Sequence, residues 1–311
     1  MTAIIGGLGA ATLWAIATLA SSRSSRMLGS RVVLAWVMIV GAIVGVPMVL
    51  VAGIPREIPP DAPFLLLVGG LCYSIGLGLA YRALSIGKVS IVAPIIATEG
   101  GVAALFAVVL GDPLGIAAAV LLAVIAVGVV LSSMEPARPV VPAGDIELFG
   151  DALDGPAEDT PTAPRRADDP EPNHLRESIV LSIAAAIVFG VGLVASGKAA
   201  HLVSPIMVAF TARLIGVVIV ALPLIAQRRL WLTRAALPLV VISGVGEIIG
   251  SALSAWGAQT SIAVVAVLGS QFAAIAAVLA YVLFGERLSR VQTVGVVLIV
   301  VGVSLLAASG I

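Results

Sequence analysis

The chain has one cysteine, Cys72, and two histidines, His174 and His201. A single thiol rules out an intramolecular disulfide, and two histidines in separate polar stretches form no cluster for a metal or for acid–base work. Charge is scarce as well. Asp, Glu, Lys and Arg make up 11% of the residues, where a soluble chain carries roughly 25%. Aromatics contribute only 5%, whereas 60% of residues are hydrophobic and the mean hydropathy is +1.18. The composition is that of an integral membrane protein whose solvent is the lipid bilayer. Nothing in it points to a nucleic-acid partner or a cofactor. No basic segment precedes the apolar run at 3 to 20, so that run reads as a first span rather than a signal peptide.

Lipid tolerates only helices or closed barrels, and a hydrocarbon core about 30 Å thick needs roughly 20 apolar residues of helix. Continuous apolar runs argue for helices. Spans are expected at about 3 to 20, 32 to 53, 63 to 86, 89 to 110 and 114 to 132, then at 178 to 197, 204 to 226, 236 to 259, 262 to 284 and 290 to 308. Pro63, Pro113 and Pro205 suit first turns, where a missing amide hydrogen costs nothing. Between the two sets of spans the composition changes abruptly. Ten of the 17 acidic residues fall between Glu135 and Glu171, interleaved with prolines, so residues 133–176 read as a disordered acidic linker.

The two sets are copies. An offset of 174 residues lays Phe64 to Leu131 on the second set without a gap. Gly70 falls on Gly244, Gly76 on Gly250, Ala103 on Ala277, Gly111-Asp112 on Gly285-Glu286 and Gly128 on Gly302. Repetition of this kind decides the fold argument before anything else does. Five spans per copy is an odd number, so the second copy enters the membrane upside down. The expected fold is therefore all-α, with ten transmembrane helices as two inverted five-helix repeats, 1–132 and 177–311. Such architectures place a substrate path between the copies, near the membrane midplane.

Gly285-Glu286-Arg287-Leu288 between the last two spans, with Gly111-Asp112-Pro113-Leu114 at the matching place in copy one, resembles the EamA family of the drug/metabolite transporter superfamily. The resemblance covers nearly all of the membrane part. It departs from the family's pattern in the long acidic linker and in Asp112, which replaces the usual glutamate. It implies a secondary transporter or exporter of small metabolites, with the first, third, fourth, sixth, eighth and ninth spans around a central cavity.

Ionisable groups inside lipid are costly and usually face the bundle interior, which singles out Glu99, Arg213 and Glu247. Glu247 shares a narrow stripe with Ser243, Ser251, Ser254 and Ala258, spaced to face protein. The offset sets Tyr73 at the position equivalent to Glu247, on a stripe of Gly69, Gly76 and Ala80, so both side chains are expected at the pseudo-axis. The pair binds proton or substrate in one reading; in the other, Glu247 and Arg213 form a buried ion pair that only fixes packing. Glu99 follows Pro94 and precedes Gly100-Gly101, a place for a broken helix and a binding carboxyl. Its alternative is a protonated glutamate bonded to a neighbouring helix. Ser270 and Gln271 lie about one turn from the position equivalent to Glu99, and Trp14 is mid-span, where an interfacial belt does not explain it. These three are candidate cavity residues, with packing as their alternative. No metal ligands are expected.

An integral membrane enzyme would need a catalytic constellation at the helix ends, and none is seen. A channel would show rings of repeated polar residues, which the duplication lacks. Acidic and basic midplane groups together favour a zwitterion such as an amino acid as the substrate; efflux of drugs or toxic compounds is the alternative, and a homodimer is left open. Arg23, Arg26, Arg31, Arg82, Lys88, Arg138, Arg176, Arg228, Arg229, Arg234, Arg287 and Arg290 fall on the side opposite the termini, against Arg56 and Lys198 with them. The resemblance alone would put both termini in the cytoplasm. The positive-inside rule instead predicts a multi-pass protein of the cell membrane with termini outside and the linker cytoplasmic.

Overall fold

Helices carry their backbone hydrogen bonds within one segment, and that is how this apolar chain satisfies its amides. The computed structural model describes residues 1–53, 57–87, 92, 95–111, 115–133, 172–272, 274–275 and 290–308, and among them there is no strand. The helices are α1 (Thr2–Leu28), α2 (Ser30–Ala52), α3 (Ala62–Ile86), α4 (Glu99–Val109), α5 (Ile116–Ser133), α6 (Pro172–Ala200), α7 (Pro205–Ala226), α8 (Leu237–Ala258), α9 (Ile262–Gly269) and α10 (Arg290–Ala308). Six of them, α1, α2, α3, α6, α7 and α8, are long and apolar enough to cross a membrane. Ser204 and Ser261 cap the starts of α7 and α9, accepting from the amides of Met207 and Val264. The Gly111-Asp112-Pro113-Leu114 motif beyond its glycine, the Gly285-Glu286-Arg287-Leu288 motif and the linker from 134 to 171 lie outside the described residues.

Three local features differ from the expected spans. Helix α1 runs past Ala20 to Leu28, because its serines bond inward: Ser24 Oγ donates to the carbonyl of Ala20 at 2.9 Å. Helix α6 starts at Pro172, inside the stretch expected as linker, with the proline in the first turn where it costs least. Within α7, Val217–Ala221 forms a π-helical turn just after Arg213. Turns of that kind are rare and cluster at functional sites.

Large apolar side chains are exposed on the outside, and small polar ones join the apolar interior. Val51 is 91% exposed and Ile116 86%, while Ser21, Ser24, Ser74, Ser178, Ser182 and Ser243 are buried. Apolar side chains on the outside meet lipid, and small polar ones on the inside let helices approach and bond. This is a multi-pass membrane protein.

Helix pairing crosses the two halves in a reciprocal way. Helix α1 packs along α8 as α6 packs along α3; α2 meets α8 as α7 meets α3; α4 meets α6 as α9 meets α1; and α2 with α7, α4 with α9 and α5 with α10 face one another. The duplicated glycines make these contacts. Gly76 faces the Phe189 ring of α6, and its counterpart Gly250 faces the Trp14 ring of α1. Gly70 lies against Ile215 and Ala212 of α7, and Gly244 against Val40 and Val37 of α2. The α1–α8 seam is tightest at Gly6, where an added Cβ would stand 2.7 Å from the Cα of Gly257.

Gly6→Val is therefore expected to force α1 off α8. Overpacking of this kind costs about 1–3 kcal/mol. Gly78→Ala, whose new Cβ would meet Leu34 at an ordinary 3.5 Å, should be tolerated. Thermal unfolding of the two purified variants in detergent checks this; equal midpoints would show that the seam yields.

Candidate functional site

Between the halves lies a cavity of about 90 Å³, well above the space one water needs. Residues of α1, α3, α6, α7 and α8 line it, together with Ile96, Glu99 and Phe272. Most of the wall is apolar, from Leu77, Phe189, Leu193, Val208 and Phe272, and its carboxyls are Glu99 and Glu247. Helix α7 contributes Val208, Ala209 and Ala212, although it was not among the spans expected around the cavity.

At one wall stands a cluster that ties four helices. Arg213 of α7 is fully buried. Its Nη2 lies 2.8 Å from the Tyr73 hydroxyl on α3, 2.8 Å from the Glu247 carbonyl on α8 and 2.7 Å from Ser251 Oγ, while Nη1 faces Met38 Sδ on α2. The guanidinium carbon sits 4.2 Å from the centre of the Tyr73 ring, a cation–π geometry. The Tyr73 hydroxyl donates to Glu247 Oε2, which is 3.8 Å from Arg213 Nη2. Residues that the duplication makes equivalent thus touch each other. Gly41 gives the arginine its space, since an added Cβ there would meet Arg213 Cδ at 2.8 Å.

Glu99 is the first residue of α4, directly after a turn at Thr98 whose hydroxyl bonds back to the Ile95 carbonyl. Its side chain reaches the cavity, is 6% exposed, and has no hydrogen-bond or ion-pair partner among the described residues. Gly100 beside it packs against Ser270 and the Ala266 carbonyl, which sets α4 close to α9.

The remaining sequence candidates separate. Trp14 lines the cavity, its indole resting against Gly250 and Gly269. Ser270 and Gln271 are buried but stand outside the lining, and the Ser270 hydroxyl donates to the Val267 carbonyl. Arg213 stands behind Tyr73 and does not line the cavity either. Sequence reading missed the Ser21, Tyr81 and Ser243 junction, where Ser21 Oγ lies 2.9 Å from both the Tyr81 hydroxyl and Ser243 Oγ. It joins α1, α3 and α8 at the Tyr81 end of the cavity. Tyr81, a polar aromatic well inside a span, was the available signal. Among the described residues no group of His, Cys, Asp and Glu could hold a metal ion.

The EamA-like transporter family model matches this chain twice, over residues 1–134 and 176–308. The chain belongs to the EamA-like transporter family. A solved crystal structure of a protein with 22% sequence identity aligns over 97% of the transporter and 95% of its own length, with a TM-score of 0.69, and so shares the fold. No curated protein sequence matches. The family is one of transporters, which accords with a cavity enclosed between helices of both halves.

Breaking the buried pair should cost more than removing it. Arg213→Gln leaves the Glu247 carboxyl without its cation, and losses of about 3–5 kcal/mol follow such breaks. Adding Glu247→Gln to that variant should recover part of the loss. A thermal double-mutant cycle in detergent measures the coupling, and additive midpoint shifts would mean that the two groups do not interact.

Proposed function

We propose that the chain is a secondary transporter that moves a small polar metabolite by alternating access, with ten spans in two inverted five-helix repeats around the cavity. The observation that carries this reading is the cavity itself, walled by both halves and offering the carboxyls Glu99 and Glu247 in an otherwise apolar setting. Reciprocal helix pairing supports the inverted arrangement, because the most extensive contacts between the halves recur when the halves are exchanged. The Tyr73 to Glu247 contact supports an axis through the site. Either carboxyl serves as the carrier of a coupling proton or of the substrate.

A second reading is efflux of lipophilic toxic compounds, favoured by the apolar wall of Leu77, Leu193, Phe189 and Phe272. Uptake of radiolabelled metabolites and dyes into everted vesicles, with and without a proton gradient, separates the two. Glu99→Gln and Glu247→Gln should reach the membrane normally and lose transport or flatten its pH profile, since glutamine does not titrate. Parent-like transport by both variants from about pH 5 to pH 9, a range wide enough for a carboxyl out of water, would make the carboxyls structural.

For orientation we take the termini as outside and the acidic linker as cytoplasmic. Support comes from Arg23, Arg26 and Arg31 around the α1–α2 junction and from Arg228, Arg229 and Arg234 between α7 and α8, all exposed at helix ends. A cysteine placed in the linker of a Cys72→Ala chain should resist an impermeant thiol reagent in intact cells and react after lysis. Labelling of intact cells would reverse the orientation and leave the transporter reading in place.

A further inference from the structure

The charge around the cavity does not balance. Among the described residues two carboxyls, Glu99 and Glu247, line it, while no Arg, Lys or His does. Arg213, the fully buried cation among the described residues, is turned away and already engaged by Tyr73, Ser251 and the Glu247 carbonyl, with the Glu247 carboxylate 3.8 Å off. No described cation at the cavity wall is therefore placed to receive a carboxylate or phosphate from a bound solute. The sequence argument for a zwitterion drew on acidic and basic midplane groups together, and the basic one, Arg213, does not line this cavity.

Glu99 stands differently from Glu247. It is more than nine-tenths buried, it faces the cavity, and no described residue donates to it. A carboxylate so far from water loses several kcal/mol unless a positive charge reaches it. The cavity wall is suited to bring one. Trp14, Tyr73, Phe189 and Phe272 supply aromatic surface, which attracts cations at ring faces and accommodates an apolar body.

We propose that Glu99 is the recognition site for a positively charged nitrogen, so that the cavity takes small organic amines with an apolar body and rejects anions. When the amine leaves, a proton takes its place on Glu99. This rests on the transporter reading above and narrows its substrate class.

The test uses four probes that share a phenylethyl body: phenethylamine, 3-phenylpropanoate, phenylalanine and 3-phenylpropanamide, being cation, anion, zwitterion and neutral amide. Binding to the purified full chain in detergent is measured by calorimetry at pH 7.5. Phenethylamine should bind at least tenfold more tightly than the other three. Glu99→Gln should lower that affinity at least tenfold, with Glu99→Asp restoring part of it and the elution profile unchanged. The probe selectivity is read on the parent chain, so it stands even if Glu99→Gln fails to fold. Equal binding of the anion or amide, amine affinity that survives Glu99→Gln in a folded protein, or no binding of any probe would each overturn the amine site. Vesicle uptake from the metabolite panel judges the transporter reading separately. A solute transported equally by parent and Glu99→Gln would sink the amine site and keep the transporter.

Discussion

A guanidinium with no exposed surface holds the centre of this protein together. Arg213 gathers partners from α2, α3 and α8, and each would be left with an unmatched polar group or a void if it were withdrawn. In water such a charge would be solvated at little cost; in the bilayer core it has only protein to satisfy it. The cluster therefore constrains where the halves meet, because Tyr73 from one and Glu247 from the other must both reach the same cation. It also fixes which carboxyl is committed and which is free. Glu247 is tied to the arginine and the tyrosine, and Glu99 is tied to nothing described. The apolar wall can then be large without the site losing polarity, since one open carboxyl is enough to orient a solute.

A transporter that changes shape needs seams that separate and seams that hold. The α1–α8 and α3–α6 pairs run close along their length through glycines, with Phe189 and Trp14 filling matching places opposite Gly76 and Gly250. Close backbone approach of this sort gives dispersion contact without relying on side-chain fit, and so suits elements that move as rigid pairs. The Ser21, Tyr81 and Ser243 junction is another kind of contact. It consists of a few hydroxyl hydrogen bonds between α1, α3 and α8, each of modest net strength. Bonds that can be exchanged for water suit the end of a pathway better than its spine. The π-helical turn at Val217–Ala221 adds a place where α7 can flex just beyond the arginine.

Much of this was readable in advance. Long apolar runs gave the six spans that α1, α2, α3, α6, α7 and α8 carry, since lipid leaves helices few rivals, and the 174-residue offset paired Tyr73 with Glu247, which touch. What escaped had physical reasons. The serine-rich end of α1 reads as a loop by hydropathy, yet its hydroxyls bond to carbonyls one turn back and into the bundle. Side-chain direction was also hidden: Arg213, Ser270 and Gln271 sit at the right depth, but only packing decides which way they point. The π-helical turn carries no composition of its own.

The duplication is kept at the packing glycines and broken at the cavity carboxyls. Gly70 and Gly244 serve the same packing in the two halves, as do Gly76 and Gly250, so the scaffold residues recur at the offset. The charged positions at the cavity do not recur. Tyr73 stands where the second half has Glu247, and Glu99 where it has Ala273. A scaffold with two related halves can present its cavity alternately to either side using equivalent helix movements. A binding site repeated in both halves would instead place two carboxyls of like kind in one small space, where their repulsion would work against holding both charges. Divergence at the site eases that conflict, because one of the two cavity carboxyls, Glu247, is held to Arg213 while Glu99 stays open to the cavity.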